Sequence, residues 1–196
     1  LIATPLIAET AVEIHRGETE VEVTQAEKLY YQMKTNKGEI VLELDSAKAP
    51  NTVANFKRYV DENFFENLIF HRVIKGFMIQ GGGFTADMEH KNGFEPIAIE
   101  SNNGLKNEKG TIAMARTSDP NSATSQFFIN TEDNSFLDYP GQDGHGYTVF
   151  GRVISGMDVV TVIENSKTAP KAGHRDVPVE PVIIETISEI EAPQNK

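Results

Sequence analysis

The chain has 196 residues, enough for one domain or for one domain with an extension. Its 18 lysines and arginines against 29 aspartates and glutamates give a formal net charge of −11, which argues against nucleic acid or an anionic membrane surface as the main partner. The absence of cysteine excludes disulfides, thiolate nucleophiles and cysteine-ligated metal sites, and no apolar run is long enough for a membrane-spanning helix.

The first 28 residues differ in composition from the rest of the chain. Residues 1–8 are apolar and start without methionine, which fits either the end of a processed signal peptide or an ordinary N-terminal extension. Residues 9–28 hold six glutamates against one arginine and one lysine, and an acidic run of this kind is usually a solvated face. We therefore expect an acidic extension over 1–28, a folded domain over 29–190 and a flexible tail over 191–196.

From Tyr30 onward the pattern is mainly β. Two alternating segments, 30–35 and 39–44, flank Asn36-Lys37-Gly38 and predict a hairpin. Apolar residues recur at helical spacing over 50–60 and 156–164 and predict two helices. Further short strands are predicted over 69–74, 78–81, 111–115, 126–130, 147–153 and 182–188. Eight strands with two helices inserted far apart predict a mainly β fold, a closed eight-stranded antiparallel β-barrel capped by two α-helices.

The usual nucleophile, metal and phosphate patterns are weak. Ser125, His145 and Asp143 do not make a convincing triad, because no strand–turn–helix elbow surrounds Ser125. The loop histidines lack the spacing of metal ligands, so no metal is expected. Gln80-Gly-Gly-Gly83 is followed by neither Gly-Lys-Ser/Thr nor a helix, which favours a tight turn or a close backbone approach over phosphate binding.

One arginine lies within an apolar segment, Phe70-His71-Arg72-Val73-Ile74. Strand alternation would put Arg72 on the same face as Phe70 and His71 on the opposite face, where a structural role is favoured over an acid or base role. Because burying an unpaired arginine is costly, Arg72 either forms an ion pair or lines a pocket, and spacing alone favours the ion pair.

The segment 70–82, Phe-His-Arg-Val-Ile-Lys-Gly-Phe-Met-Ile-Gln-Gly-Gly, closely resembles the signature of the cyclophilin family of peptidyl-prolyl cis-trans isomerases. Further matching blocks occur in order at 110–116, 122–130, 136–138 and 147–151, so the resemblance spans about residues 30–190. Residues 102–107 and 113–117 are similar to the bacterial branch of the family.

The resemblance implies an enzyme that rotates Xaa-Pro bonds in unfolded or flexible polypeptides and assists folding, with no cofactor and no covalent intermediate. It implies catalytic roles for Arg72 and Gln80. The implied substrate-binding residues are Phe77, Met78, Ala115, Arg116, Gln126, Phe128, Phe136, Leu137 and Tyr147. Alternation lets only one of Phe127 and Phe128 face the groove, and we expect Phe128 there, with Phe127 in the core.

Three positions depart from common family patterns. Phe136 and Tyr147 stand where many eukaryotic members have Trp and His, and Arg116 stands where the family often has Asn. Phe136 lacks the indole N–H donor, so we expect weak cyclosporin binding.

The expected partners are proline-containing segments of unfolded or flexible proteins, with no nucleic acid and no membrane span, and the chain is expected to be a monomer. A bacterial periplasmic location is slightly favoured over the cytoplasm.

An arginine suits this reaction. Rotation about the bond has a barrier of roughly 18–20 kcal/mol and requires neither bond cleavage nor proton loss. In the twisted state the proline nitrogen gains a lone pair, to which Arg72 can donate a hydrogen bond, and no titrating group is needed near neutral pH. Two alternatives stay open: a binding module or holdase with incidental turnover, and recruitment of a basic partner by the acidic extension.

Overall fold

The computed structural model describes residues 28–194. Residues 1–27 of the predicted acidic extension and the last two residues of the predicted tail therefore lie outside the described residues, whereas Lys28 begins the first strand. The elements are, in chain order, β1 Lys28–Thr35, β2 Gly38–Asp45, α1 Pro50–Asp61, β3 Arg72–Ile74, β4 Met78–Gly81, β5 Thr111–Met114, β6 Phe127–Asn130, a 3-10 turn Ser135–Leu137, β7 Val149–Ser155, α2 Met157–Glu164, β8 Thr168–Lys171, β9 His174–Pro178 and β10 Ile184–Ile190.

Eight strands form one curled antiparallel sheet in the order β10-β1-β2-β7-β5-β6-β4-β3. The predicted mainly β fold with two helices and an eight-stranded antiparallel sheet is confirmed. A second sheet, the β8–β9 hairpin, was not expected. Its segment contains Pro170 and Pro178 and shows no apolar alternation, so its composition argues against a strand although the backbone pairs.

The residues that precede the edge strand β3 are bonded to the start of the edge strand β10 and to the residues just before it. The Phe70 N–H donates to the Val182 carbonyl at 3.0 Å, and the Ile184 N–H donates to the Leu68 carbonyl at 2.8 Å. Ile69 and Ile183 form an antiparallel bridge between these two bonds. The two ends of the sheet therefore share backbone hydrogen bonds over a short stretch.

Helix α1 places aromatic side chains in the main core. The Phe56 ring lies 5.3 Å from the Tyr31 ring and 6.1 Å from the Phe127 ring, and Tyr59 is fully buried beside it. Phe56 and Tyr59 thus pack the helix against the sheet, and the predicted inward orientation of Phe127 is confirmed. These contacts hold one face of β6 in the core and leave its other face free to line a groove.

The first turn of α1 is capped from a distant part of the chain. Pro50 suits this turn because the missing N–H would have no partner inside the helix. The Glu100 carboxylate accepts the Thr52 N–H and the Thr52 hydroxyl, each at 2.6 Å, and the Asn51 N–H at 3.3 Å. A loop carboxylate thus satisfies the free N–H groups of this turn.

The alternation predicted for residues 70–74 is wrong at its start. Phe70 and Val73 both belong to the main core, whereas His71 and Arg72 both line the same groove. The cause is that β3 begins only at Arg72, so period-two alternation does not extend back to Phe70. His71 is therefore not on the face opposite Arg72.

Candidate active site

A groove of about 430 Å³ lies over β4 and β6 on the side away from the main core. All predicted site residues except Phe136 line it. Three further residues, which the sequence did not indicate as part of a site, also line it: His71, Phe84 and His174. No periodicity could have indicated Phe84 or His174, because Phe84 lies on the loop after β4 and His174 begins β9, the second strand of the unexpected hairpin.

One end of the groove is an apolar pocket. Met78 and Phe128 form its buried floor, and Phe77, Leu137 and Tyr147 are partly buried around it. The Phe128 and Tyr147 rings meet edge to face with centroids 5.8 Å apart. The expected orientation of Phe128 toward the groove is confirmed, and it results from alternation with Phe127 along β6.

Phe136 lies outside this lining. Its side chain is 49% exposed and stacks on Phe77, with ring centroids 5.8 Å apart. Phe77 in turn is held through its backbone, because its carbonyl accepts the Asn134 side-chain amide at 2.9 Å and the Thr131 N–H at 3.0 Å. Phe136 therefore extends the rim of the pocket through Phe77.

Beside the pocket, three polar side chains form a hydrogen-bonded chain. Arg72 donates to the Gln80 side-chain oxygen at 3.3 Å, and the Gln80 amide donates to the Gln126 oxygen at 3.0 Å. Arg72 and Gln80 are directly paired between β3 and β4, and this pairing places both in the groove. Arg72 is exposed, and among residues 28–194 it has no carboxylate within ion-pair distance. Within residues 28–194, Arg72 therefore lines the groove and does not form the ion pair that spacing favoured.

Gly83 allows the backbone to approach Gln126. A β-carbon at this position would lie 2.5 Å from Gln126 Cγ and 2.6 Å from its amide nitrogen, so Gln126 could not keep its position beside it. The close backbone approach predicted for the Gly-rich segment is thus confirmed at Gly83. Its consequence is that Gln126 lies where it can accept the Gln80 hydrogen bond.

The other end of the groove is lined by a buried histidine and two rings. The His71 ring lies 4.5 Å from the Phe84 ring and 5.6 Å from the His174 ring. Burial, aided by the nearby charges of His174 and Arg72, lowers the pKa of His71 to about 4. His71 is therefore neutral at pH 7, and its Nδ1 is buried without a hydrogen-bond partner among the described residues.

The side chain of Arg116 is buried against the loop 143–146, which precedes Tyr147. The guanidinium donates to Asp143 at 2.6 Å and to the Gly146 carbonyl at 2.6 Å. The Arg116 guanidinium and the backbone N–H groups of His145 and Gly146 hold the pKa of Asp143 well below its usual range. The triad considered for Ser125, His145 and Asp143 is therefore not formed. Asp143 bonds to Arg116 and to backbone N–H groups, and the Ser125 hydroxyl donates to the Gly82 carbonyl at 2.7 Å.

Two further properties of residues 28–194 bear on possible functions. No three histidine, aspartate or glutamate side chains in this range are clustered as a metal site would require. Neither of its two helices has the length and apolar character needed to span a bilayer.

Comparison with known proteins gives matches over most of the chain. The family profile for cyclophilin type peptidyl-prolyl cis-trans isomerase/CLD matches residues 30–189. Peptidyl-prolyl cis-trans isomerase cyp18 of Streptomyces antibioticus is 55% identical over 157 residues, covering 79% of this chain and 95% of that protein. Peptidyl-prolyl cis-trans isomerase B of Escherichia coli (strain K12) is 55% identical over 156 residues, with the same coverage of 79% and 95%.

A solved structure resembles the fold as well. The crystal structure of a cyclophilin type peptidyl-prolyl cis-trans isomerase of Cryptosporidium parvum superposes with a TM-score of 0.71 at 29% identity, covering 85% of this chain and 99% of that chain. A second crystal structure of that protein, in the presence of the dipeptide Ala-Pro, gives a TM-score of 0.70 at 28% identity, covering 83% and 99%.

Proposed function

The chain belongs to the cyclophilin-type peptidyl-prolyl cis-trans isomerases, and on this premise we propose that Arg72 is its catalytic residue and that the apolar pocket holds the substrate proline ring. The enzyme rotates Xaa-Pro peptide bonds. The observation that carries the assignment of residues is the position of an exposed guanidinium, without a carboxylate partner among residues 28–194, beside a pocket with a buried apolar floor.

The pocket would bind the proline ring in both the planar and the twisted state. Met78 and Phe128 offer only apolar surface, while Phe77, Leu137 and Tyr147 enclose the ring from the sides. Such walls hold the ring by excluding water, and they do not fix the orientation of the acyl group that precedes it. The acyl side is then free to turn about the bond while the ring stays in place.

Arg72 would stabilise the twisted state. In that state conjugation is lost and the proline nitrogen becomes a hydrogen-bond acceptor, which a permanently charged guanidinium can meet. Because this acceptor hardly exists in the planar amide, the hydrogen bond favours the transition state over the ground state. The 3.3 Å bond to Gln80 uses one donor nitrogen of Arg72, and the guanidinium has others to offer.

Gln80 would orient Arg72. The Gln80 amide nitrogen donates to Gln126, and this bond turns the Gln80 oxygen toward the guanidinium.

On the far side of the groove, the backbone of Ala115 and Arg116 would hold the extended substrate chain. The Ala115 N–H is bonded to the Gln126 carbonyl at 3.1 Å, whereas no hydrogen bond within residues 28–194 uses the Arg116 N–H. That group is therefore available to a substrate carbonyl.

Replacement of Arg72 tests the assignment. A charge-assisted hydrogen bond present only in the twisted state contributes about 1.5–3 kcal/mol, so Arg72→Ala is expected to lose roughly 10- to 150-fold in kcat on an Ala-Pro peptide. Arg72→Lys, a point charge without the planar fork, is expected to recover only part of it. Arg175→Ala, an exposed arginine outside the groove lining, is the control. Wild-type turnover in Arg72→Ala, measured by NMR exchange, would refute the catalytic role.

We also propose that the eight-stranded sheet closes into a barrel. The bonds from Phe70 to Val182 and from Ile184 to Leu68 support closure, because they join the segment before β3 to the start of β10. A closed barrel leaves no free edge there, so the Phe70 and Ile184 amides should exchange with solvent as slowly as amides at the centre of the sheet. Fast exchange at both positions would contradict closure.

Finally, we propose that the chain acts as a monomer on proline-containing segments of unfolded or flexible proteins and binds cyclosporin weakly. Phe136 stacks on Phe77 and carries no hydrogen-bond donor, which supports weak binding of the inhibitor. Sedimentation analysis and a cyclosporin titration of the isomerase reaction measure these two properties directly.

A further inference from the structure

We propose that Arg116 and Asp143 form a positioning pair that holds Tyr147 against the apolar pocket and thereby sets the affinity for the substrate proline ring. This inference rests on the proposed function, because it assumes that the pocket lined by Tyr147 binds that ring. Within the described residues, Arg116 and Arg72 differ sharply: Arg72 is exposed and has no carboxylate partner, whereas the side chain of Arg116 is buried and forms an ion pair with Asp143.

Burial of the Arg116 side chain brings its charge against an aromatic ring. The side chain is only 3% exposed, and its guanidinium lies 4.3 Å from the centre of the Tyr147 ring while donating to Asp143 at 2.6 Å. A guanidinium over an aromatic face is attracted by the ring, and the attraction grows as water is excluded. Arg116 thus contacts the ring of Tyr147 and the loop that precedes it at the same time.

The loop before Tyr147 is built around the Asp143 carboxylate. This carboxylate accepts the His145 N–H at 2.9 Å and the Gly146 N–H at 3.0 Å, in addition to Arg116. Gly144 and Gly146 have positive φ angles of 83° and 65°, a conformation that suits glycine. Neither residue has a side chain that could pack. Polar contacts of Asp143 therefore organise the turn, together with the hydrogen bond from the Ser101 hydroxyl to the His145 carbonyl.

Removal of the Asp143 charge would leave Arg116 with a buried positive charge and no counterion. The Nε of Arg116 already has no hydrogen-bond partner among residues 28–194. A buried unpaired charge is so unfavourable that the side chain is expected to leave for solvent. The Tyr147 ring then keeps Phe128 on one side but loses the guanidinium over its face.

A loosened pocket wall has a distinct kinetic signature. The pocket binds the proline ring alike in the planar and the twisted state, so a weaker wall reduces ground-state and transition-state binding equally. Asp143→Asn is therefore expected to raise KM for an Ala-Pro peptide three- to tenfold and to leave kcat within twofold. Arg72→Ala is expected to lower kcat instead, so failure of the catalytic assignment and failure of this inference give different results.

Matched variants separate positioning from a general loss of stability. Glu43→Gln removes the same charge from another arginine–carboxylate pair, with Arg152 at 3.1 Å, outside the groove lining. It is expected to leave both KM and kcat unchanged. Asp143→Glu keeps the carboxylate and is expected to recover part of the KM effect, and Arg116→Ala is expected to raise KM at least as much as Asp143→Asn.

A spectroscopic readout completes the test. The Arg116 side-chain protons near the Tyr147 ring should show a ring-current shift in the wild type and in Glu43→Gln, and the shift should disappear in Asp143→Asn. Loss of the shift together with a raised KM supports the inference. An unchanged KM in Asp143→Asn, an equal KM change in Glu43→Gln, or a raised KM with the shift retained would each overturn it.

Discussion

The buried imidazole of His71 makes the stability of the protein dependent on acid. Its pKa is lowered from the ordinary 6.5 to about 4, mainly by burial. Between these pH values an unfolded chain binds a proton at His71 and the folded chain does not, so protons favour the unfolded state. Stability is therefore expected to fall as the pH drops through 6.5, and the contribution of His71 to this loss is complete below about pH 4.

The size of the effect is set by the shift. Each pKa unit corresponds to about 1.4 kcal/mol, so a shift from 6.5 to about 4 costs about 3 kcal/mol of the free energy of unfolding. The side chain is only 3% exposed, so solvent screens this cost little. Asp45 and Asp143, whose pKa values are lowered, also lose stabilising charge in acid, and a variant is needed to isolate His71.

The assay is urea unfolding at a series of pH values from 7 to 4, in the wild type and in His71→Phe. Phenylalanine does not titrate and can pack against Phe84, so both proteins share every acid effect except that of His71. The free energy of unfolding of the wild type should fall by about 3 kcal/mol more than that of the variant over this range. Equal pH dependence in the two proteins, or an imidazolium at His71 in NMR spectra at pH 5.5, would refute the reasoning.

Further predictions concern residues that support the groove and the helix. Gly83→Ala should force Gln126 away, since the new β-carbon would lie 2.5 Å from Gln126 Cγ. The hydrogen bond from Gln80 to Gln126, worth about 1 kcal/mol, would then be lost, and kcat/KM should fall roughly fivefold in the peptide assay. Unchanged kcat/KM would show that Gln126 does not help to orient Gln80. Glu100→Ala removes the acceptor from the first turn of α1 and should lower the free energy of unfolding by about 1–2 kcal/mol in urea, with little effect on kcat. Asn134→Ala removes one of the two N–H donors to the Phe77 carbonyl, so we expect a higher KM in the peptide assay. An unchanged KM would mean that the Thr131 N–H alone holds Phe77.

Local pattern was sufficient for much of the fold. Alternation along β6 correctly separated Phe127 in the core from Phe128 in the groove, because both residues lie within one regular strand. The same reasoning failed for Phe70 and His71, which precede the first residue of β3. The β8–β9 hairpin escaped prediction because its prolines and charged residues lack the apolar alternation by which strands are recognised.

The candidate site divides in the same way. Its motif residues were indicated by the sequence, and the groove brings all but Phe136 together. His71, Phe84 and His174 were not indicated, since the hairpin that carries His174 is far from β3 in sequence and comes to lie beside it only in the folded chain. Spacing favoured a carboxylate partner for Arg72, whereas the structure places the Gln80 side-chain oxygen there.

By itself, the sequence determined the family, the eight main strands, the two helices and the residue types available for a reaction without thiol chemistry. These features depend on short-range periodicity and on residue chemistry, which a linear chain carries. Only the tertiary structure decided which charges are free and which are paired. Arg116 meets Asp143 27 residues further along, and Glu100 caps a helix 48 residues before it, because the fold brings them within hydrogen-bond distance. Arg72 stays free for a substrate for the converse reason: within residues 28–194, the fold brings no carboxylate to it.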